Sequence, residues 1–106
     1  MASHFKIIYK ILLILRDAME FEKFDTNSIS HESLGIPYPL WCRLMSMLYK
    51  EGYIEGIQEW KPIDSYHVKV VLVRPEITLK GLEYLEENSL MQKAKYLAKG
   101  IVDIFG

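Results

Sequence analysis

The stretch LGIPYPLWCRLMSMLYKEGYI, residues Leu34 to Ile54, decides the fold. Its apolar residues follow the i, i+3, i+4, i+7 spacing of one side of an α-helix: Trp41, Leu44, Met45 and Leu48. Pro39 suits a first helical turn, and Gly52 supplies the positive φ that commonly ends a helix. We therefore predict a helix from Pro39 to Glu51. Because β-forming residues begin at Tyr53, directly after it, the pattern predicts a helix-turn-helix followed by a wing.

Upstream of this stretch, apolar residues at helical spacing predict a long first helix from about His4 to Lys23. Ser30 can N-cap a short second helix that Gly35 ends. Pro37 and Pro39 then stiffen the connection to the third helix, because each proline fixes its own φ and restricts the residue before it. A fixed elbow between a short and a longer helix is what a helix-turn-helix requires.

Two strands are predicted downstream, Tyr53 to Trp60 and His67 to Arg74, the second rich in β-branched residues. The loop between them contains Pro62 and Asp64-Ser65, which are typical loop residues. We therefore predict that the two strands form a hairpin, which is the wing. Pro75 is expected to close the second strand.

Two helices are predicted after the wing. Thr78 can cap the first, which runs to about Glu87, and Asn88-Ser89 interrupts the pattern before a last helix from Leu90 to about Phe105. The predicted fold class is therefore α+β: a winged helix-turn-helix with a long N-terminal helix, a two-stranded wing and two C-terminal helices. We expect one domain over residues 1–106.

Composition limits the classes of function. The net charge of −1 and the pI near 6.3 provide no global field that would attract nucleic acid or an anionic membrane. Cys42 is the single cysteine, which fits a reducing cytoplasm. The apolar run from Ile11 to Leu15 is far shorter than a membrane span, and Arg16 and Asp17 follow at once. We expect a folded cytoplasmic chain.

Residues for DNA contact are predicted on the wing and on the outward side of the third helix. The residues predicted to point outward from this helix are Tyr38, Cys42, Arg43, Ser46, Tyr49 and Lys50. Arg43 could read guanine bidentately, Ser46 could reach a phosphate or a base edge, and Lys50 could hold a phosphate. From Leu34 to Arg74, however, the chain has five positive and four negative side chains. The resulting net charge of +1 is small for a surface that must neutralise several phosphates. The complete set of nucleic-acid candidates is Tyr38, Arg43, Ser46, Lys50, Lys61 and Lys69.

A protein-interaction module is the alternative function. The terminal helices carry more aromatic and methionine residues than one small core needs, which is typical of a dimer or partner surface. These residues could instead pack on each other and cover the core, and the sequence leaves both readings open. The candidates for a homodimer or partner surface are Met19, Phe21, Met91, Tyr96 and Phe105.

No catalytic, cofactor or metal site is predicted. The three histidines are scattered, Cys42 has no partner cysteine for a metal site, and the chain has no glycine-rich phosphate loop. We therefore expect a protein that is not an enzyme and needs no cofactor.

Two strings carry a family resemblance: KEGYIEG at Lys50 to Gly56 and ITLKGLEYLEENS at Ile77 to Ser89. The pattern Ile77-Thr78-x-x-Gly81-x-x-x-Leu85 is similar to the segment after the wing in the MarR and PadR groups of bacterial regulators. Together the strings resemble the YjcQ-like family, small winged-helix proteins of Gram-positive bacteria and their phages. The resemblance covers nearly the whole chain and implies a winged-helix fold. It implies little about activity. DNA binding in gene regulation, on a phage or another mobile element, is the function we expect.

Overall fold

The computed structural model describes residues 3–98, and describes side chains through residue 89. It is an α+β winged helix-turn-helix, as the sequence predicts. Its elements in chain order are α1 (His4–Ala18), a 3-10 helix (Thr26–Ile29), α2 (His31–Leu34), α3 (Tyr38–Lys50), β1 (Ile54–Trp60), β2 (Lys69–Ile77) and α4 (Leu79–Ala98).

The helix-turn-helix forms from the predicted local signals. The Ser30 hydroxyl accepts a hydrogen bond from the Ser33 N–H at 3.1 Å and so caps α2. Gly35 ends α2 with a φ of +69°, and Gly52 follows α3 with a φ of +82°. Pro37 occupies the N-cap position of α3. The elbow is further fixed by Trp41, whose indole N–H donates to the buried Ile29 carbonyl at 2.8 Å.

One hydrophobic core joins α1, α3, the base of the wing and α4. All four residues predicted for the inner side of α3 are buried. The first helix ends at Ala18 rather than at Lys23. Beyond this end Met19 and Phe21 are exposed, whereas Phe24 is partly buried against the core. The remaining core side chains are Ile7, Ile11, Leu12, Leu15, Ile29, Cys42, Ile54, Ile57, Val70, Ile77 and Leu85.

The wing is a two-stranded antiparallel hairpin with a bulge. Ile54 pairs with Ile77 at its base and Trp60 with Lys69 near its tip, and the register shifts between Glu55 and Ile57. The prediction that Pro75 ends the second strand is wrong, since β2 continues to Ile77. Proline lacks an N–H to donate, but it is tolerated at an irregular position where the regular ladder is interrupted.

The prediction of two C-terminal helices is also wrong. A single helix, α4, runs through the expected break at Asn88-Ser89. The Asn88 side chain donates to the Tyr84 carbonyl at 2.8 Å, one turn back, so its polar group is satisfied inside the helix. The part of the predicted last helix beyond residue 98 lies outside the described residues.

The two strings that carry the family resemblance meet where α4 begins. The Thr78 hydroxyl donates to the Gly52 carbonyl and accepts from the Gly81 N–H at 3.1 Å, while the Thr78 N–H donates to the Tyr53 carbonyl at 3.1 Å. A Cβ at Gly81 would lie 2.4 Å from the Tyr53 oxygen. The threonine and glycine of this pattern are therefore explained by the joint between the wing base and α4.

Candidate nucleic-acid interface

The exposed side of α3 is narrow. Arg43, Met47 and Lys50 are exposed and lie on one side of the helix at i, i+4 and i+7. Two of these, Arg43 and Lys50, are among the predicted DNA-contacting residues. The arrangement presents two cations with a flexible thioether between them, on a helix of a size that fits a major groove.

Ser46 does not belong to this exposed side. The predicted outward position is wrong, because Ser46 is only 4% exposed and its hydroxyl donates to Glu59 Oε2 at 2.5 Å. The outward position predicted for Cys42, one turn earlier, is also wrong, since Cys42 is fully buried. The wing packs against this flank of α3, so the buried arc of the helix is wider than its hydrophobic spacing alone indicates.

Glu59 of β1 lies beside the candidate interface, a position that sequence reasoning missed. Its side chain is 21% exposed and lies between Ser46 and Lys50, with Lys50 Nζ 3.9 Å from Glu59 Oε1. This carboxylate partly offsets the cation that α3 offers to a phosphate. No sequence signal distinguishes Glu59 from Glu55, because only the tertiary packing of the wing brings one of them to α3.

The tip of the wing lies beside the exposed side of α3. Arg43 Nη2 is 3.4 Å from the Tyr66 carbonyl, a long hydrogen bond that joins the helix to the tip. Lys61, another predicted DNA contact, is exposed at the start of the tip, and Ile63 and Tyr66 are also exposed. Helix and wing therefore form one continuous surface.

Tyr38 and Lys69, predicted separately, are brought together at the start of α3. Lys69 Nζ lies 5.3 Å from the centre of the Tyr38 ring, a cation–π distance. The same ring contacts His31 edge-on at 5.4 Å, stacks with Trp41 at 5.9 Å and contacts His67 edge-on at 5.9 Å. The cluster connects α2, α3 and the wing, so Tyr38 and Lys69 also have a structural role.

The Tyr38 hydroxyl is a hydrogen-bond donor at neutral pH. Side-chain hydrogen bonding with Cys42, one turn along α3, raises the pKa of Tyr38 above its ordinary value, and burial raises it further. The hydroxyl therefore stays protonated at neutral pH.

The candidates for a dimer or partner surface divide into two groups. Met19 and Phe21 are exposed just after α1, where they line a cavity of about 450 Å³ together with Val73 of β2. Side chains of the other three candidates lie outside the described residues: Met91, Tyr96 and Phe105.

Comparison with known proteins assigns the family. The sequence model for the YjcQ protein family matches residues 9–104. This chain belongs to the YjcQ family. It is 33% identical over 90 residues to YjcQ of Bacillus subtilis (strain 168), a protein described as uncharacterized, and the match covers 84% of this chain and 92% of the relative. No solved structure gives a significant match to the chain.

Metal-binding clusters and membrane-spanning helices are both absent from the described part of the chain. Histidine, cysteine and carboxylate side chains there form no group of three or more suited to a metal ion. Nor does any helix in residues 3–98 combine the length and hydropathy needed to cross a bilayer.

Proposed function

We propose that this YjcQ family member is a DNA-binding protein that acts in transcription regulation, with α3 in the major groove and the wing against the flanking backbone. The observation that carries the proposal is the continuous surface formed by Arg43, Lys50 and the wing tip, in which Arg43 contacts the Tyr66 carbonyl. A helix of this kind fits the major groove, and arginine is the side chain best suited to guanine there.

The charge of this surface predicts a particular kind of binding. Arg43, Lys50 and Lys61 supply exposed cations, but Glu59 and Asp64 lie on the same surface and oppose them. Few phosphates can be neutralised by one copy, so non-specific affinity is expected to be low and the salt dependence shallow. A homodimer would double each contact, and we include a dimer in the proposal.

The proposal is tested with fluorescent duplexes, first of mixed sequence and then from the DNA neighbouring the gene, at about 50 and 200 mM salt. Arg43→Ala is expected to weaken binding by about 1–3 kcal/mol on a preferred site, and Lys50→Ala to reduce the salt slope by about 1. Lys10→Ala is the matched control, since Lys10 is an exposed lysine of α1 outside the helix-turn-helix and wing.

Two results would decide against DNA binding. One is the absence of binding to any of these duplexes by folded protein. The other is an equal loss of affinity in Lys10→Ala and in the two interface variants, which would indicate that α3 is not the part of the chain that contacts DNA.

Protein binding is the second candidate function, and one observation favours it. Met19, Phe21 and Val73 are 60%, 71% and 56% exposed around a single cavity. Clustered apolar side chains of this kind are typical of surfaces that bind another protein. If the bound protein is a second copy of this chain, the same dimer would use this apolar surface for its own contact and α3 for DNA.

A further inference from the structure

The tip of the wing exposes two large apolar side chains. Ile63 is fully exposed and Tyr66 is 94% exposed, while the next most exposed large hydrophobic residue among those described, Leu79, is 72% exposed. Neither side chain contributes to the core. Two neighbouring exposed apolar side chains at one loop tip add nothing to the stability of the fold, and clustered apolar side chains of this kind often mark a binding site.

The tip is also held in one conformation by hydrogen bonds. The Ser65 N–H donates to the Pro62 carbonyl at 3.1 Å, and the Ser65 hydroxyl donates to the His67 carbonyl at 2.8 Å. Arg43 on α3 contacts the Tyr66 carbonyl. A loop fixed in this way loses little conformational entropy when it binds, which favours a tip that inserts into a partner.

We propose that Ile63 and Tyr66 form an apolar wedge that enters the minor groove beside the α3 site, partly unstacks one base step and bends the duplex. This inference rests on the proposed DNA binding. When a recognition helix occupies the major groove, a wing reaches the adjacent backbone and minor groove. Isoleucine and other apolar side chains inserted there kink DNA, and base faces provide the apolar surface that the wedge lacks in water.

The surroundings of the wedge fit DNA better than a protein partner. Lys61 is exposed beside the wedge and can hold a flanking phosphate, although Asp64 within the tip opposes it. Arg43 joins the tip to α3, so the wedge stays next to the helix that enters the major groove. A stable protein interface buries about 800 Å² on each partner, whereas aromatic side chains bury only about 150–250 Å² each. Two side chains at a narrow tip are therefore too small for such an interface but sufficient to enter a groove.

The wedge predicts a preference for deformable steps. Pyrimidine–purine steps such as TA unstack easily, while A-tracts are stiff. Two duplexes of about 25 base pairs are compared, one with a central TA step and one with an A-tract, each carrying a dye at both ends to report bending. A 2-aminopurine beside the central step reports unstacking by a rise in its fluorescence.

The proteins compared are wild type, Ile63→Ser, Tyr66→Ser, the double variant and Leu79→Ser. Leu79, the first residue of α4, is an exposed leucine just beyond the base of the hairpin and far along the chain from its tip. We expect wild type and Leu79→Ser to bend the TA duplex and raise the 2-aminopurine signal. The double variant should lose both effects and bind the TA duplex about tenfold more weakly.

The outcomes separate the wedge from the proposed function. If the double variant binds and bends the TA duplex as wild type does, the wedge is overturned and DNA binding by α3 stands. If Ile63 and Tyr66 are needed only for self-association, measured by sedimentation, the tip is a protein contact and the wedge is again overturned. If folded wild-type protein binds neither these nor genomic duplexes, both proposals fail.

Discussion

Gly56 shows at the scale of one residue why the wing needs a glycine in β1. Its φ is +82°, and a Cβ there would lie 1.7 Å from the Arg74 carbonyl oxygen. Gly56→Ala should therefore lower the free energy of unfolding by about 3 kcal/mol or more, because backbone strain and a steric clash add. Urea unfolding followed by circular dichroism measures the change.

Gly35→Ala is the control for this effect, since Gly35 has a φ of +69° but no atom within 4 Å of the added Cβ. It should cost only the strain of the left-handed conformation, about 1–2 kcal/mol. Equal losses in the two variants would contradict the role assigned to the close approach of Arg74.

Glu59 is a second residue whose removal has a defined consequence. Glu59→Gln keeps an oxygen that accepts from Ser46 but removes the negative charge beside Lys50. If α3 binds DNA, the variant should bind about two- to fivefold more tightly at low salt, the magnitude of one partly screened charge contact. Fluorescence anisotropy at several salt concentrations measures this.

Glu55→Gln tests whether the effect of Glu59 is local. It makes the same change in net charge, but Glu55 is exposed at the base of the hairpin, where it pairs with Glu76. It should leave affinity nearly unchanged. An equal gain in both variants would attribute the effect to net charge and not to the Lys50 contact.

Sequence patterns identified the exposed cations of α3 but not their surroundings. The outward positions of Arg43 and Lys50 follow from the spacing of the buried residues, which is a local property of the helix. The burial of Ser46 and the position of Glu59 depend on the wing packing against that helix. A contact between residues 13 apart in sequence has no periodic signal, so local patterns could not reveal it.

At the scale of elements, one side chain of α3 ties that helix to the 3-10 helix that precedes α2. The Trp41 indole N–H donates to the buried Ile29 carbonyl, so Trp41→Phe leaves that acceptor unpaired and also removes buried volume. Together these effects should lower the free energy of unfolding by about 2–3 kcal/mol. Urea unfolding gives the value.

Trp60→Phe provides the comparison, because Trp60 is 49% exposed at the end of β1 and should change stability by no more than about 0.5 kcal/mol. Each variant retains one tryptophan, so emission spectra also separate a buried from an exposed indole. A larger loss in Trp60→Phe than in Trp41→Phe would contradict the anchoring role of Trp41.

The order of elements was predictable because most boundaries have local causes. The cap at Ser30 and the glycines after α2 and α3 act over only a few residues. The errors lie where the structure depends on a pairing register or a side-chain hydrogen bond that residue patterns do not indicate. Pro75 remains within β2 because the register is irregular opposite Gly56, and α4 continues because the Asn88 amide is satisfied by Tyr84.

At the scale of the whole molecule, the chain is a member of the YjcQ family and its homodimer is a prediction. The proposed DNA-binding surface of one copy is near-neutral, which favours two copies acting together. Met19 and Phe21 offer an apolar surface for this contact, beside the cavity that Val73 also lines. At the other end of α1, Phe5 is exposed to a similar extent, 70% against 71% for Phe21. These two phenylalanines make a matched test.

Phe21→Ser should weaken a homodimer by at least about tenfold, since each copy would lose the burial of one aromatic side chain. Sedimentation equilibrium over micromolar concentrations measures the dissociation constant, and circular dichroism confirms that the variant remains folded.

Phe5→Ser should leave the dissociation constant unchanged. Dissociation by Phe5→Ser alone would place the interface at the start of α1, and a monomeric wild-type protein would remove the dimer from the proposed function. Because a dimer places two α3 helices on one duplex, dissociation should also lower DNA affinity and the salt slope together.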